Sequence, residues 1–170
     1  TGLRPTFGSI SRTGAMALSY SLDKVGPICR SAADAAIVFN YLHGTDGKDL
    51  SAVNMPFNYT PEKPIKQLKI AYAKNYFDRI KDTTRNEWKA LEVFKKMGVE
   101  LIPVNFPDSG VYQFNIMDVI IGVECAAQFD ELTRYNIDDE LTKQTKNDWP
   151  NQFRTARFVP AVEYINAQRH

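Results

Sequence analysis

Leu68-Lys69-Ile70-Ala71-Tyr72-Ala73 and Val99-Glu100-Leu101-Ile102-Pro103-Val104-Asn105-Phe106 bracket a stretch in which Trp88, Leu91, Phe94 and Met97 recur at helical spacing. The first run alternates apolar and polar residues as a half-buried strand does. Thr84 and Glu87 stand in the positions of a capping box, and Gly98 supplies the stop. Strand, amphipathic helix, strand is a βαβ unit over 68–106, which implies parallel strands and a right-handed crossover. Pro103 carries no backbone donor, so the second strand is expected near a sheet edge. The fold class is therefore α/β, a mixed sheet with flanking helices.

Working outward, the turn after the first strand reads Ala73-Lys74-Asn75-Tyr76-Phe77. It lacks the glycines that let a backbone cradle phosphate, so no nucleotide site and no cofactor is expected. Beyond the second strand, Pro107-Asp108-Ser109-Gly110 reads as a turn, and the apolar pattern predicts a long helix from Tyr112 through Leu132. Residues 112–170 as a whole are expected to be mainly helical. Glu124 falls inside the run Ile120-Ile121-Gly122-Val123-Glu124-Cys125-Ala126-Ala127. A carboxylate there is either an ion-paired or capped interior acid, or a group facing a cleft, because an unpaired buried charge is costly.

Toward the N-terminus, Pro56, Pro61 and Pro64 mark a surface connector, and Asn58-Tyr59-Thr60 is a chance glycosylation triplet. Ser31 and Asp34 form a capping box for a helix over 31–43, with Ala32, Ala35, Ala36, Phe39 and Leu42 at helical spacing. His43, just before Gly44, suits helix capping. In Thr45-Asp46-Gly47-Lys48-Asp49-Leu50-Ser51 the carboxylates lack the register of a calcium loop, and solvated turn chemistry is expected. Residues 1–30 hold Gly2, Pro5, Gly8, Gly14, Gly26 and Pro27, a turn-rich segment that must lie against something else. None of Ser9, Ser11, Ser19 and Ser21 sits in a Gly-x-Ser-x-Gly elbow, so they are assigned to turn and cap hydrogen bonds.

A chain of 170 residues with 44% hydrophobic content is a one-domain length with enough apolar material for a core. Lys+Arg 21 against Asp+Glu 20 gives a net charge of +1, which excludes a broad nucleic-acid or membrane-surface footprint. Cys29 and Cys125 are too far apart for a zinc spacing or a disulfide scaffold and read as two buried hydrophobes. His43 and His170 offer neither a triad nor a metal site.

Gly2-Leu3-Arg4-Pro5-Thr6-Phe7-Gly8, then Ser11-Arg12 and Gly14, then Ser21-Leu22-Asp23-x-x-Gly26-Pro27-x-x-Arg30, resembles the amidase signature family. The loop Asp46-Gly47-Lys48-Asp49, the piece Phe129-Asp130-Glu131-Leu132-Thr133-Arg134 and the piece Arg157-Phe158-Val159-Pro160-Ala161-Val162-Glu163-Tyr164 extend the likeness over nearly the whole chain. The resemblance implies a partial amidase-signature fold and hydrolysis of the C–N bond of a small amide. It implies an attacking serine, a relay serine in a cis peptide and a lysine base. In the family pattern all three precede the segment matched here, so no catalytic residue is assigned to this chain, which is expected to be inactive alone. The same pattern places Arg154, Arg157 and Phe158 near the substrate pocket, with Glu124 as a further pocket candidate. The plain alternative pairs the arginines with Asp138, Asp139 or Glu140 and puts the ring in the core. A small-molecule amide is the expected partner, with no direct nucleic-acid contact and no membrane. The oligomeric state is left unassigned, and a cytoplasmic setting is expected. Two other functions stay open, the A chain of an amidotransferase and a non-enzymatic α/β binding module. Against the former, Arg134-Tyr135-Asn136-Ile137-Asp138 departs from the Arg-Tyr-Asp-Gly-x-Arg of such chains.

Overall fold

The computed structural model describes residues 1–61, 64–107 and 115–170. The chain forms two compact units, Thr1–Tyr59 with Gln113–His170, and Thr60–Tyr112. The expected turn over residues 108–110 and the start of the following helix at Tyr112 lie outside the described residues.

The second unit is the βαβ unit the alternation predicts. Strand β1 (Ile70–Ala73) pairs in parallel with β2 (Leu101–Val104), Ile70 facing Leu101 and Ala73 facing Val104. This described sheet has two strands, so both are edges and the missing donor of Pro103 is tolerated. A short helix α2 (Lys74–Phe77) follows β1, and α3 (Asn86–Lys96) makes the crossover, burying Leu91 with Val99 just beyond it. Edge-to-face rings fill the rest, Tyr72 on Phe77 at 5.4 Å and Phe77 on Trp88 at 5.2 Å. Gly98 closes α3 as expected, at φ 77°, with its N–H on the Lys95 carbonyl and that of Val99 on Phe94. This is a Schellman motif. The expected capping box is absent, because Thr84 donates both its N–H and its hydroxyl to Asp82, while Glu87 pairs with Arg85. The helix therefore starts at Asn86 without a side-chain cap.

In the first unit, α1 (Ala32–Leu42) carries both halves of its box. Asp34 N–H donates to Ser31 Oγ at 3.0 Å, and Ser31 N–H donates to Asp34 Oδ2 at 3.1 Å. His43 caps its C-terminus, the ring nitrogen Nδ1 lying 2.9 Å from the Asn40 carbonyl. Helix α4 (Asn115–Gln128) packs on α6 (Trp149–Ala156) and α7 (Ala161–Arg169), burying Ile120, Cys125, Ala126, Phe153 and Ala167. The helix expected to reach Leu132 instead breaks at Phe129, whose backbone leaves helical values. Its ring seats 5.2 Å from Phe153, and a short helix α5 (Asp130–Arg134) resumes. Cys125 is buried as expected, and burial raises its thiol pKa to about 11. Cys29, one residue past the Gly2–Ile28 bridge, is only half-buried, against expectation. No helix among the described residues is long and apolar enough to cross a membrane.

The turn-rich segment holds together through backbone approaches that side chains would block. Leu3 N–H donates to the Pro27 carbonyl and Cys29 N–H to that of Thr1. A Cβ on Gly26 would stand 2.1 Å from the Leu3 carbonyl oxygen. Gly8, at φ 77°, would put one 2.4 Å from the Ser51 oxygen while its own carbonyl receives Val53 N–H. Gly8, which ends the Gly-Leu-Arg-Pro-Thr-Phe-Gly piece, and Gly26 of the Gly-Pro piece are thus demanded by contact.

Candidate functional site

Glu124 lies on the face of α4 that the apolar run buries, and only 2% of its surface remains exposed. Its two oxygens gather donors from two places in the chain, residues 19–21 and helix α7. Oε2 accepts from Ser19 Oγ at 2.5 Å and Ser21 N at 3.1 Å. Oε1 accepts from Ser21 Oγ at 2.6 Å, Tyr164 OH at 2.9 Å and Gln168 Nε2 at 2.9 Å. Burial alone would raise this carboxyl's pKa, but the donors from Ser19, Ser21 and Tyr164 outweigh it, and the group titrates below the ordinary glutamate range. Glu124 is thus an ionised interior acid, capped rather than ion-paired.

The same donors fix a loop. Ser19 and Ser21 flank Tyr20, and Asp23 Oδ2 accepts from Leu18 N at 2.7 Å and Ser19 N at 3.0 Å, closing the turn from the other side. Arg12 adds a second clamp. Its Nη1 donates to the Tyr20 carbonyl at 2.5 Å, its Nη2 to Ser51 Oγ at 2.8 Å, and its Nε and backbone N to Asp49 Oδ2 at 3.2 and 2.9 Å. Its guanidinium also stacks over Phe7, 4.8 Å from the ring centroid. Asp49 is held well below the usual carboxylate range by Ser51 first and by Arg12 next. Asp46 accepts from the backbone of Lys48 and Asp49. Both carboxylates therefore serve the turn, as the sequence suggested. Along this loop runs a cavity of about 430 Å³, lined among others by Arg12, Met16, Leu18, Tyr20, Lys24 and Lys48.

The arginines singled out in the sequence sit elsewhere. Arg154 Nε lies 2.7 Å from Asp138 Oδ2 and its Nη2 2.5 Å from Asp139 Oδ1, so it braces the turn after α5 against α6. Asp138 is 1% exposed, which makes that brace interior on one side. Arg157 pairs with Asp130, which also takes Arg134. Phe158 is 85% exposed rather than part of the core. Arg157 lines a second cavity of about 380 Å³ with Asp130, Val159 and Tyr164. Tyr164 is the link between the clusters, on that cavity's wall and on Glu124 at once. Tyr164 thus joins Glu124, which it bonds, to the cavity that Arg157 lines, and neither Arg154 nor Phe158 is among that cavity's lining residues. Ser19 and Ser21, read in the sequence as turn and cap hydrogen-bonders, donate instead to Glu124 across the chain, while Tyr20, Tyr164 and Gln168 have no role assigned from the sequence. One signal was available: Tyr164 and Gln168 are four apart on a helix and share a face. Their partner, on α4, is not deducible from that spacing.

The family profile described as Amidase matches residues 1–169. Over 138 residues the chain is 36% identical to the A chain of the glutamyl-tRNA(Gln) amidotransferase of Campylobacter concisus, covering 79% of this chain and 30% of that protein. It is 34% identical over 145 residues to the A chain of the glutamyl-tRNA(Gln) amidotransferase of Akkermansia muciniphila, covering 79% and 29%. A crystal structure of an amidase superposes with a TM-score of 0.74 at 19% identity, over 99% of this chain and 35% of that one. The A chain of the Thermotoga maritima glutamyl-tRNA(Gln) amidotransferase superposes at 0.70 and 24% identity, over 98% and 36%. These likenesses establish the fold, and the chain spans about 30% of the length of the curated relatives it matches.

Proposed function

Because the chain belongs to the amidase family, we propose that the protein hydrolyses the carbon–nitrogen bond of a small amide. The attacking serine, the relay serine and the lysine base lie outside these 170 residues. The observation that carries this reading is the commitment of the motif serines. Ser19 and Ser21 both donate to a carboxylate already saturated by its donors, and Ser11 donates to Thr13. The donors around Glu124 lower its basicity, which makes it a poor general base for an attacking hydroxyl. The 170 residues then supply sheet, supporting helices and pocket wall. Arg157 and Tyr164 give that wall a cation and a phenol, while Arg154 and Glu124 hold its framework. A cytoplasmic location goes with this reading.

The test is a serine-directed fluorophosphonate probe applied to the full-length protein and to residues 1–170, with turnover of an aryl amide followed alongside. Labelling and turnover are expected from the full-length protein alone, and both survive Ser11→Ala. Labelling of residues 1–170 that disappears on mutating one of its own serines would refute the assignment. The curated relatives favour a second reading, the A chain of an amidotransferase, releasing ammonia for a tRNA-bound partner. Glutaminase activity that appears only with partner chains and charged tRNA would select it over a free amidase.

A further inference from the structure

Helix α1 is apolar on every side. Of its 11 residues only Asp34 and Asn40 carry a polar side chain, apart from the Tyr41 hydroxyl, and Asp34 is committed to the capping box. The inner face is occupied, with Ala35 buried and the Phe39 ring meeting Phe57 edge to face at 4.8 Å. The opposite face carries Ala33, Ile37 and Tyr41, each four residues from the next and so in line along the helix. All three are exposed, Ile37 to 55% and Tyr41 to 83%, with Val38 exposed beside them.

Helix α3 shows how this chain builds a helix that faces water. There Lys89, Glu92, Lys95 and Lys96 are exposed while Leu91 is buried, the amphipathic pattern of a surface helix. A helix apolar all round has instead the composition of one enclosed by protein. The surroundings of Ile37 and Tyr41 say what encloses it. A patch that receives a separately folded partner keeps a polar rim. Here Val38 and Leu42 continue the apolar surface, and only Asp34 and Asn40 interrupt it. A face of that kind resembles a core cut open. The chain spans about 30% of the length of the curated relatives it matches, so proteins of that length hold ample further polypeptide to complete such a core. Ala33, with a single methyl, lets a second element approach α1 closely.

We propose that the Ala33–Ile37–Tyr41 face of α1 seats an apolar segment of the full-length polypeptide from outside residues 1–170, and not a second copy or another protein. The inference rests on burial and is independent of the reaction, so failure of the amidase reading would leave its test unchanged. Hydroxyl-radical footprinting of the purified full-length wild type, read by mass spectrometry, measures the burial without a substitution. Tyr41 is expected to be modified at least about fivefold more slowly in the native protein than in urea, as for a ring enclosed by packed neighbours. Weaker protection overturns the proposal. The occupant is identified by Tyr41→p-benzoylphenylalanine in the same protein, irradiated and mapped by peptide sequencing. The expected product is a crosslink within one chain to a peptide from outside residues 1–170. A band at the mass of a dimer assigns the face to a second copy, and a crosslink confined to residues 1–170 assigns it to the chain described here. Either result overturns the proposal, as does the absence of any crosslink.

Discussion

The two units are held by different physics. Residues 60–112 are organised by apolar side chains, with Leu91 and Val99 buried and rings stacked edge to face between β1 and α3. The turn-rich segment of the first unit has little of this. It stands on glycines that admit a neighbouring backbone and on two charged clamps, Arg12 and Glu124, that replace a core. Periodic structure tolerates approximate packing, because many weak contacts share the work. A segment built from a few directional contacts fails when one of them goes.

Urea midpoints of single variants sharpen this contrast. Gly8→Ala is expected to be the most damaging, by about 3–5 kcal/mol, since it adds left-handed strain to a clash with the Ser51 oxygen. Gly14, at φ 84° with nothing within 4 Å, is its control, and Gly14→Ala should cost about 1 kcal/mol. Equal losses in the two would show that backbone contact does not hold this segment. In the other unit Leu91→Ala should cost about 3 kcal/mol through its cavity. Glu124→Gln should cost about 2 kcal/mol, because an amide cannot accept from every donor around it. This last loss carries a pH signature. The folded carboxyl titrates below its unfolded value, so its contribution is complete above about pH 4.3 and is lost as pH falls through the folded pKa. The wild type and Glu124→Gln should therefore converge in acid, and parallel curves down to about pH 3 would refute the ionised assignment. Arg85→Ala removes an exposed pair with Glu87 and should leave the midpoint unmoved.

What the sequence disclosed was local. Ser31 and Asp34 cap α1 from three residues apart, and the alternation at 70–73 with the helical spacing of Trp88 and Leu91 delivered the βαβ unit. Thr84 misled because Asp82, two residues back, competes for the same hydroxyl. The sequence showed that Glu124 needed partners and not which, since Ser19 and Ser21 are 105 and 103 residues away. Arg154 met two of its expected acids, Asp138 and Asp139, whereas Arg157 found Asp130 across a break in the helix that periodicity does not announce. The family motif carried more than periodicity could, because Gly8, Gly26 and Arg12 record contacts rather than secondary structure.

That separation of Glu124 from its serines has a bearing on how the chain is made. On the ribosome, residues 19–21 emerge about a hundred residues ahead of the acid that orders them, a delay of roughly 5–20 s at ordinary elongation rates. Tyr164 and Gln168 arrive later still. Residues 19–21 are thus made well before the contacts that order them are complete.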